Sequence, residues 1–321
     1  MVRFAAIDCG TNSLRLLISE VEDGKATELV RTMEIVRLGE GVDATGRLSV
    51  PAIARTRTVL ETYAVLMAEY GVVDLRMVAT SATRDAENKD EFFRMTGQVL
   101  GGLKPGYSAE VISGEEEAAL SFRGAVSDLH PEQGPFCVID LGGGSTEFIV
   151  GDHDGTILGA ASAQLGCVRL TERVMRSNPP TQTELEIAQD YVKESIDQVC
   201  ETVPVAQART FVGCAGTFTT LAALALGLES YDPHAIHRSE LRIDALRILT
   251  QQLVAETTEQ RAANPVIHPG RADVISGGSV VVQGVLSMME EQAGASSLLV
   301  SEKDILDGMI AGLSDQMASM R

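Results

Sequence analysis

Apolar positions follow two rhythms along this chain. Short apolar runs closed by Asp, Gly or Asn read as buried strands, and apolar residues three and four apart read as helices. In the first half, strands are predicted at Arg3–Asp8, Leu14–Val21 and Thr27–Arg37, with Asp23-Gly24 as a hairpin turn between the second and third. Pro51–Tyr70 has helical periodicity, and Pro51 takes a permitted first-turn position. A buried-type strand at Leu75–Thr80, a helix at Asn88–Leu100, a short strand at Glu110–Ser113 and a helix at Glu115–Leu129 follow. The half reads β-β-β-α-β-α-β-α.

The rhythm then restarts. Pro135–Asp140, Thr146–Val150 and Ile157–Gln164 read as three strands, with Asp154-Gly155 at a hairpin. Thr181–Thr202 is a long amphipathic helix, and Thr210–Val212 a strand before a glycine turn, Gly213 to Thr217. Helices are predicted at Phe218–Leu226, Ile243–Glu256, Arg271–Gln292 and Leu306–Met317, with a strand at Ser297–Ser301. The pattern breaks at His130–Pro135, so we expect domains at 1–128 and 129–321. Whether the last helix packs back on the first domain is left open. Strands alternating with helices call for α/β layering in each half.

Composition narrows the function. Hydrophobic residues make up 45% of the 321, and mean hydropathy is +0.09. No apolar run approaches the roughly 20 residues of a membrane span. The N-terminus runs straight into a strand without a leader. A cytoplasmic protein with no membrane partner is expected. The five cysteines form no CxxC pair, which favours reduced thiols. A net charge of −19 argues against nucleic-acid binding. An anionic substrate would need local holding by backbone N–H groups, a few arginines and a divalent cation.

Two turns suit that task. The first is Asp8-Cys9-Gly10-Thr11-Asn12-Ser13, and the second is Asp140-Leu141-Gly142-Gly143-Gly144-Ser145-Thr146-Glu147. Each follows a buried run at the carboxyl end of a strand, where ligands bind in open α/β sheets. Gly10 permits close backbone approach, and Asn12 and Ser13 can donate to phosphate oxygens. Gly143, Gly144 and Ser145 offer successive N–H groups to an anion. Two copies suggest a duplicated domain facing itself across a cleft. Strand alternation sends Glu147 either to solvent or into that cleft, and its closeness to the turn favours the cleft.

The segment Ser113-Gly-Glu115-Glu116-Glu117-Ala118 separates residue by residue. Ser113 and Glu116 fit a capping box, so Glu115 and Glu116 serve the helix start. Glu117 shares a small-residue face with Ser121 and Gly124, which leaves room for water and substrate. Glu117 is the expected general base, with Glu116 as fallback. Arg15 and Arg84 each follow a strand end and can clamp phosphate; a surface salt bridge is the alternative for both. Gly213 and Gly216 form a third strand-turn-helix whose helix start favours an anion.

Taken in order, Asp-x-Gly-Thr-Asn-Ser, Ser-Gly-x-Glu-Glu-Ala, Asp-Leu-Gly-Gly-Gly-Ser-Thr-Glu and Gly-x-Ala-Gly-Thr resemble the exopolyphosphatase/guanosine pentaphosphate phosphohydrolase family. That family belongs to the actin, Hsp70 and sugar-kinase superfamily. The resemblance implies two ribonuclease-H-like domains with the active-site cleft between them. It implies Mg²⁺- or Mn²⁺-dependent release of terminal phosphate from inorganic polyphosphate, and a homodimer. Carried over, Glu117 would activate water, and Asp8, Asp140 and Glu147 would hold or orient the metal and its waters. Asn12, Ser13, Arg84, Gly143, Gly144 and Ser145 would bind phosphate. Two departures stand out. Ala119 replaces a frequent arginine, with Arg123 one turn on, and the chain ends before the C-terminal helical module of longer members. A preference for short polyphosphate follows as an expectation. Guanosine pentaphosphate 5′-phosphatase, with its link to the stringent response, is the alternative substrate reading. An ATP-binding kinase or actin-like ATPase is the alternative from another class.

Overall fold

The structure is a computed structural model in which residues 1–319 are described. The backbone divides into two units, Met1–Gly124 with the chain from Ile305 onward, and Ala125–Asp304.

The first unit contains β1 (Val2–Cys9), β2 (Ser13–Glu22), β3 (Lys25–Ile35), α1 (Val42–Thr45), α2 (Val50–Glu69), β4 (Asp74–Ala79), α3 (Ser81–Asp85), α4 (Lys89–Leu100), β5 (Glu110–Val111) and most of α5 (Gly114–Val126). Its sheet runs β3-β2-β1-β4-β5. β1–β2–β3 is an antiparallel meander, and β4 and β5 add in parallel. Asp23 and Gly24 both take positive φ at the first hairpin, the backbone a tight two-residue turn demands. Along α2, Ala52, Thr56, Leu60, Tyr63 and Met67 are buried, and Ser49 caps the helix by accepting from the Ala52 N–H. Ala52, Leu60, Tyr63 and Met67 pack on one face of the sheet with Ile7, Leu14 and Leu16. The other face, with Phe4, Ala6, Leu17 and Val78, is covered by the last helix, Ile305–Ser319, through Ile305, Leu306, Met309, Ile310 and Leu313.

The second unit holds β6 (Phe136–Leu141), β7 (Thr146–Gly151), β8 (Ile157–Ala163), α6 (Cys167–Arg173), α7 (Gln182–Thr202), β9 (Thr210–Cys214), α8 (Ala215–Ala225), α9 (Pro233–Ile236), β10 (Ser239–Arg242), α10 (Ile243–Ala255), α11 (Thr258–Ala262), α12 (Ile275–Ala293) and β11 (Ser297–Val300). The final helix is α13. The sheet order is β10-β11-β9-β6-β7-β8. Read from β8, this is the first unit's meander plus two parallel strands, with β10 added antiparallel at the edge. The duplication expected from the repeated rhythm is therefore a duplication of topology. α12 lies in the core. Its Gly277 permits close approach to α6, since a Cβ there would lie 2.8 Å from the Cys167 carbonyl oxygen and 2.4 Å from Thr171 Oγ1.

Several elements differ from expectation. β5 has two residues, and α5 stops at Val126 rather than 129. α12 starts at Ile275, preceded by a separate turn at Pro269–Arg271. The short helices α3 and α6 and the strand β10 were not anticipated, being too brief to show a period. β9 extends through Gly213 and Cys214, so Gly213 is a strand residue and not part of a turn. Its carbonyl accepts from the Ser301 N–H, and a Cβ on it would lie 2.6 Å from the Phe218 ring. Packing is what requires glycine there.

Candidate functional site

The two acid-bearing turns have the same skeleton. In the first, the Gly10 N–H donates to the Ser13 carbonyl at 3.0 Å; in the second, the Gly142 N–H donates to the Ser145 carbonyl at 3.0 Å. Both turns are held from behind by their carbonyls. Thr11 O accepts from the Gly39 N–H, and Asn12 O from the Val36 and Arg37 N–H groups. Arg37 takes φ 49° there. In the second turn, Gly142 O accepts from the Cys167 N–H, and Gly143 O from the Val168 and Arg169 N–H groups. Among the described residues, the N–H groups of Gly143, Gly144 and Ser145 make no hydrogen bond.

Across each hairpin the acid meets a different partner. Asp8 stands opposite Arg15, and Asp140 stands opposite Glu147. Arg15 donates to Asp8 Oδ2 from Nε (2.9 Å) and Nη2 (2.6 Å). The predicted phosphate clamp thus engages the predicted metal-binding acid of its own unit. In the second unit two carboxylates share one face, Asp140 at 7% and Glu147 at 1% exposure. Ser162 Oγ donates to Glu147 Oε1 at 2.7 Å. Like charges placed directly opposite in a sheet destabilise it.

The three consecutive glutamates separate cleanly. Ser113 Oγ accepts from the Glu116 N–H at 3.1 Å, but Glu116 turns its carboxylate outward to Arg76 (2.5 Å), which also binds Glu110. The reciprocal half of the capping box is replaced by that ion pair. Glu115 is exposed. Glu117 alone is buried, at 9% exposure, on the α5 face that also buries Ser121 and Gly124. Arg84, in the last turn of α3, donates from Nη1 to Glu117 Oε2 (3.0 Å) and to the Ile112 carbonyl (2.8 Å). Its Nη2 is buried without a hydrogen-bond partner, a donor left available to an acceptor such as a phosphate oxygen. Ala119 is exposed, and Arg123 pairs with Asp315 of α13 at 2.7 Å.

The third glycine segment is more compact than predicted. The chain bends at Ala215 (φ 67°) directly after β9, and Gly216 lies in the first turn of α8. The Arg271 guanidinium lies against it, since a Cβ on Gly216 would be 1.4 Å from Arg271 Nη1. Burial pushes the nearby Cys167 thiol up to about 11, against the opposing charge of Arg271. Two arginines beside the second unit's glycines therefore escaped sequence reasoning. Arg271 follows Pro269-Gly270, a turn signal that carries no hint of its neighbour. Arg169 donates from Nε to the Gly144 carbonyl at 2.7 Å, and nothing in its local pattern announces that bond.

Among the described residues no three His, Cys, Asp or Glu side chains cluster as a metal cage. Mg²⁺ does not require one, since it is commonly held by one or two carboxylates plus water and substrate phosphate. Asp140 and Glu147 fit that donor set. Also among the described residues, no helix is long and apolar enough to cross a membrane.

A family model described as the Ppx/GppA phosphatase family matches residues 17–312. A Mycobacterium tuberculosis protein named Exopolyphosphatase 2 is 52% identical over 318 residues, covering 98% of this chain and 99% of its own length. A Vibrio atlanticus protein named guanosine-5'-triphosphate,3'-diphosphate pyrophosphatase is 30% identical over 250 residues, 78% of this chain and 49% of its own length. The crystal structure of an exopolyphosphatase-like protein, 39% identical, superposes with a TM-score of 0.93, covering 98% of this chain and 100% of that one.

Proposed function

The chain belongs to the Ppx/GppA phosphatase family, and we propose that it is an exopolyphosphatase releasing terminal orthophosphate from inorganic polyphosphate. The observation that carries this reading is the second turn. A buried dicarboxylate that calls for a cation, Asp140 with Glu147, sits beside N–H groups of Gly143, Gly144 and Ser145 that call for an anion. The near full-length likeness to Exopolyphosphatase 2 supplies the substrate class.

Phosphoanhydride hydrolysis needs positioning and charge neutralisation more than covalent chemistry. In the second unit the N–H groups of Gly143, Gly144 and Ser145 orient phosphoryl oxygens; in the first, Asn12, Ser13 and Arg84 Nη2 are the groups that can bind phosphate. In the second unit Asp140 and Glu147 would hold Mg²⁺ or Mn²⁺ and its waters, and the bound cation would offset phosphoryl charge; Asp8 is the equivalent acid of the first unit. Glu117, fixed by Arg84, accepts a proton from the attacking water. The water oxygen bonds to the terminal phosphorus as the bridging P–O bond breaks, and the shortened chain leaves as an anion. Arg15 acts by neutralising Asp8, and Gly216 by admitting Arg271 to the start of α8. A homodimer in the cytoplasm is carried with this reading on the family resemblance.

Phosphate release should be measured with Mg²⁺ from polyphosphates of defined length, guanosine pentaphosphate and ATP. Release from polyphosphate without nucleotide is expected. Preferential turnover of guanosine pentaphosphate, or transfer from ATP to an acceptor, would replace the reading. Glu117→Gln should lower kcat by about a hundredfold or more, the scale of lost general-base catalysis, with KM nearly unchanged. A fully active Glu117→Gln enzyme removes Glu117 from the mechanism.

A further inference from the structure

The second turn shows how its N–H groups come to face one way. In a trans peptide the C=O and the following N–H point in opposite directions. Three consecutive peptide units are anchored by their carbonyls to one body. Gly142 O is held by the Cys167 N–H (3.1 Å), and Gly143 O by the Val168 and Arg169 N–H groups (2.9 and 3.0 Å). Gly144 O is held by Arg169 Nε (2.7 Å). The N–H groups of Gly143, Gly144 and Ser145 are thereby turned away from α6, all to the same side. Gly166 lets α6 come this close, since a Cβ there would lie 2.3 Å from the Gly143 carbonyl oxygen. The first turn uses only main-chain N–H groups from residues 36, 37 and 39 for its Thr11 and Asn12 carbonyls. In the second turn the last peptide, the one that aims the Ser145 N–H, is oriented by a side chain.

We propose that Arg169 is a positioning residue for polyphosphate binding, acting through the Gly144 carbonyl to hold the Ser145 N–H toward the phosphate. This rests on the phosphate-binding reading of the turn. A three-glycine loop has more backbone freedom than any other sequence. Without the Arg169 bond, the Gly144–Ser145 peptide is free to rotate, and its N–H no longer stands ready for the anion. The guanidinium suits the task because its Nε–H has a fixed direction on a planar group.

The test is titration of tripolyphosphate with Mg²⁺ into the 321-residue protein carrying Glu117→Gln, which suppresses turnover, with and without Arg169→Met. The methionine variant should bind about tenfold more weakly, the scale of one charge-assisted hydrogen bond, while its melting temperature in phosphate-free buffer stays close to that of the parent. In the active background it should raise KM and lower kcat together. Arg169→Lys keeps the cation and loses the directed Nε–H. A lysine variant as weak as the methionine one supports the orienting role, and full recovery by lysine overturns it. Unchanged affinity in the methionine variant also overturns it, as does a loss of affinity accompanied by general destabilisation. The titration does not depend on turnover. A wild-type protein that binds tripolyphosphate without hydrolysing it would therefore sink the hydrolase reading alone, whereas absence of binding would sink both.

Discussion

Asp8 and Asp140 occupy equivalent places in the duplicated sheet and differ in what the hairpin sets across from them. Arg15 pairs with the first, and a second carboxyl, Glu147, stands opposite the second. That one difference is why the proposed reading gives the cation to the second unit. Glu147→Gln keeps an acceptor for Ser162 and removes the like-charge opposition. In EDTA the variant should melt a few degrees higher than wild type, since such oppositions are worth up to about 1 kcal/mol. Mg²⁺ should stabilise wild type and leave the variant almost unmoved. A variant that melts lower in EDTA would show that the two carboxylates do not oppose one another. Glu117 was legible from the helical wheel as the acid on the small-residue face. Its bond to Arg84 was not, because the two lie on different helices.

At the scale of elements, the long periodic segments α2, α7 and α10 and the meander strands were readable to within a residue or two. Their burial repeats over several turns or along a whole strand. The short pieces were not, because α3 and α6 span too few residues to show a period, and α6 is the element that aims the second turn. Glycine was the least reliable sign. Gly143 and Gly144 lie at a turn, whereas Gly213 sits mid-strand to admit Phe218. Gly213→Ala should accordingly cost about 1–3 kcal/mol of stability by overpacking, read by urea unfolding, with KM for polyphosphate unchanged. A raised KM at normal stability would return Gly213 to the phosphate site.

At the scale of the molecule, the chain passes from the first unit to the second at Gly124 and back at Asp304. Within the second unit, the residues next to these two passages are tied together. Asp128 Oδ2 lies 2.7 Å from His237 Nε2 and 3.2 Å from Lys303 Nζ, and the Glu302 N–H donates to His237 Nδ1. The bond from the backbone requires an unprotonated Nδ1, so in the neutral ring Nε2 carries the proton that faces Asp128. Burial alone would raise the Asp128 pKa. The His237 bond and the Lys303 charge outweigh it, bringing the group from 3.8 down to about 2. A folded-state pKa below the unfolded value contributes stability above pH 3.8 that is lost as pH falls through about 2. Asp128→Asn should therefore be less stable than wild type at pH 5, the gap narrowing as pH falls toward 2 and closing below it. A stability gap that stays constant across that range would mean the carboxylate's charge is not what holds these segments.

Read alone, the amino-acid order determined the α/β class, the repeated strand pattern, the two acid-glycine turns and the separation of Glu117 from its two exposed neighbours. Each of these is written in a local period or a local turn preference, which neighbours in sequence enforce. Only the tertiary structure decided which backbone lies behind each turn, why Gly213 has no side chain, where Arg271 rests and how α13 covers the Phe4, Ala6 and Leu17 face of the first sheet. A carbonyl takes its hydrogen bond from whichever donor the fold brings past, and a glycine yields to whichever ring the fold presses against it. Residue type at the receiving end carries no record of that partner.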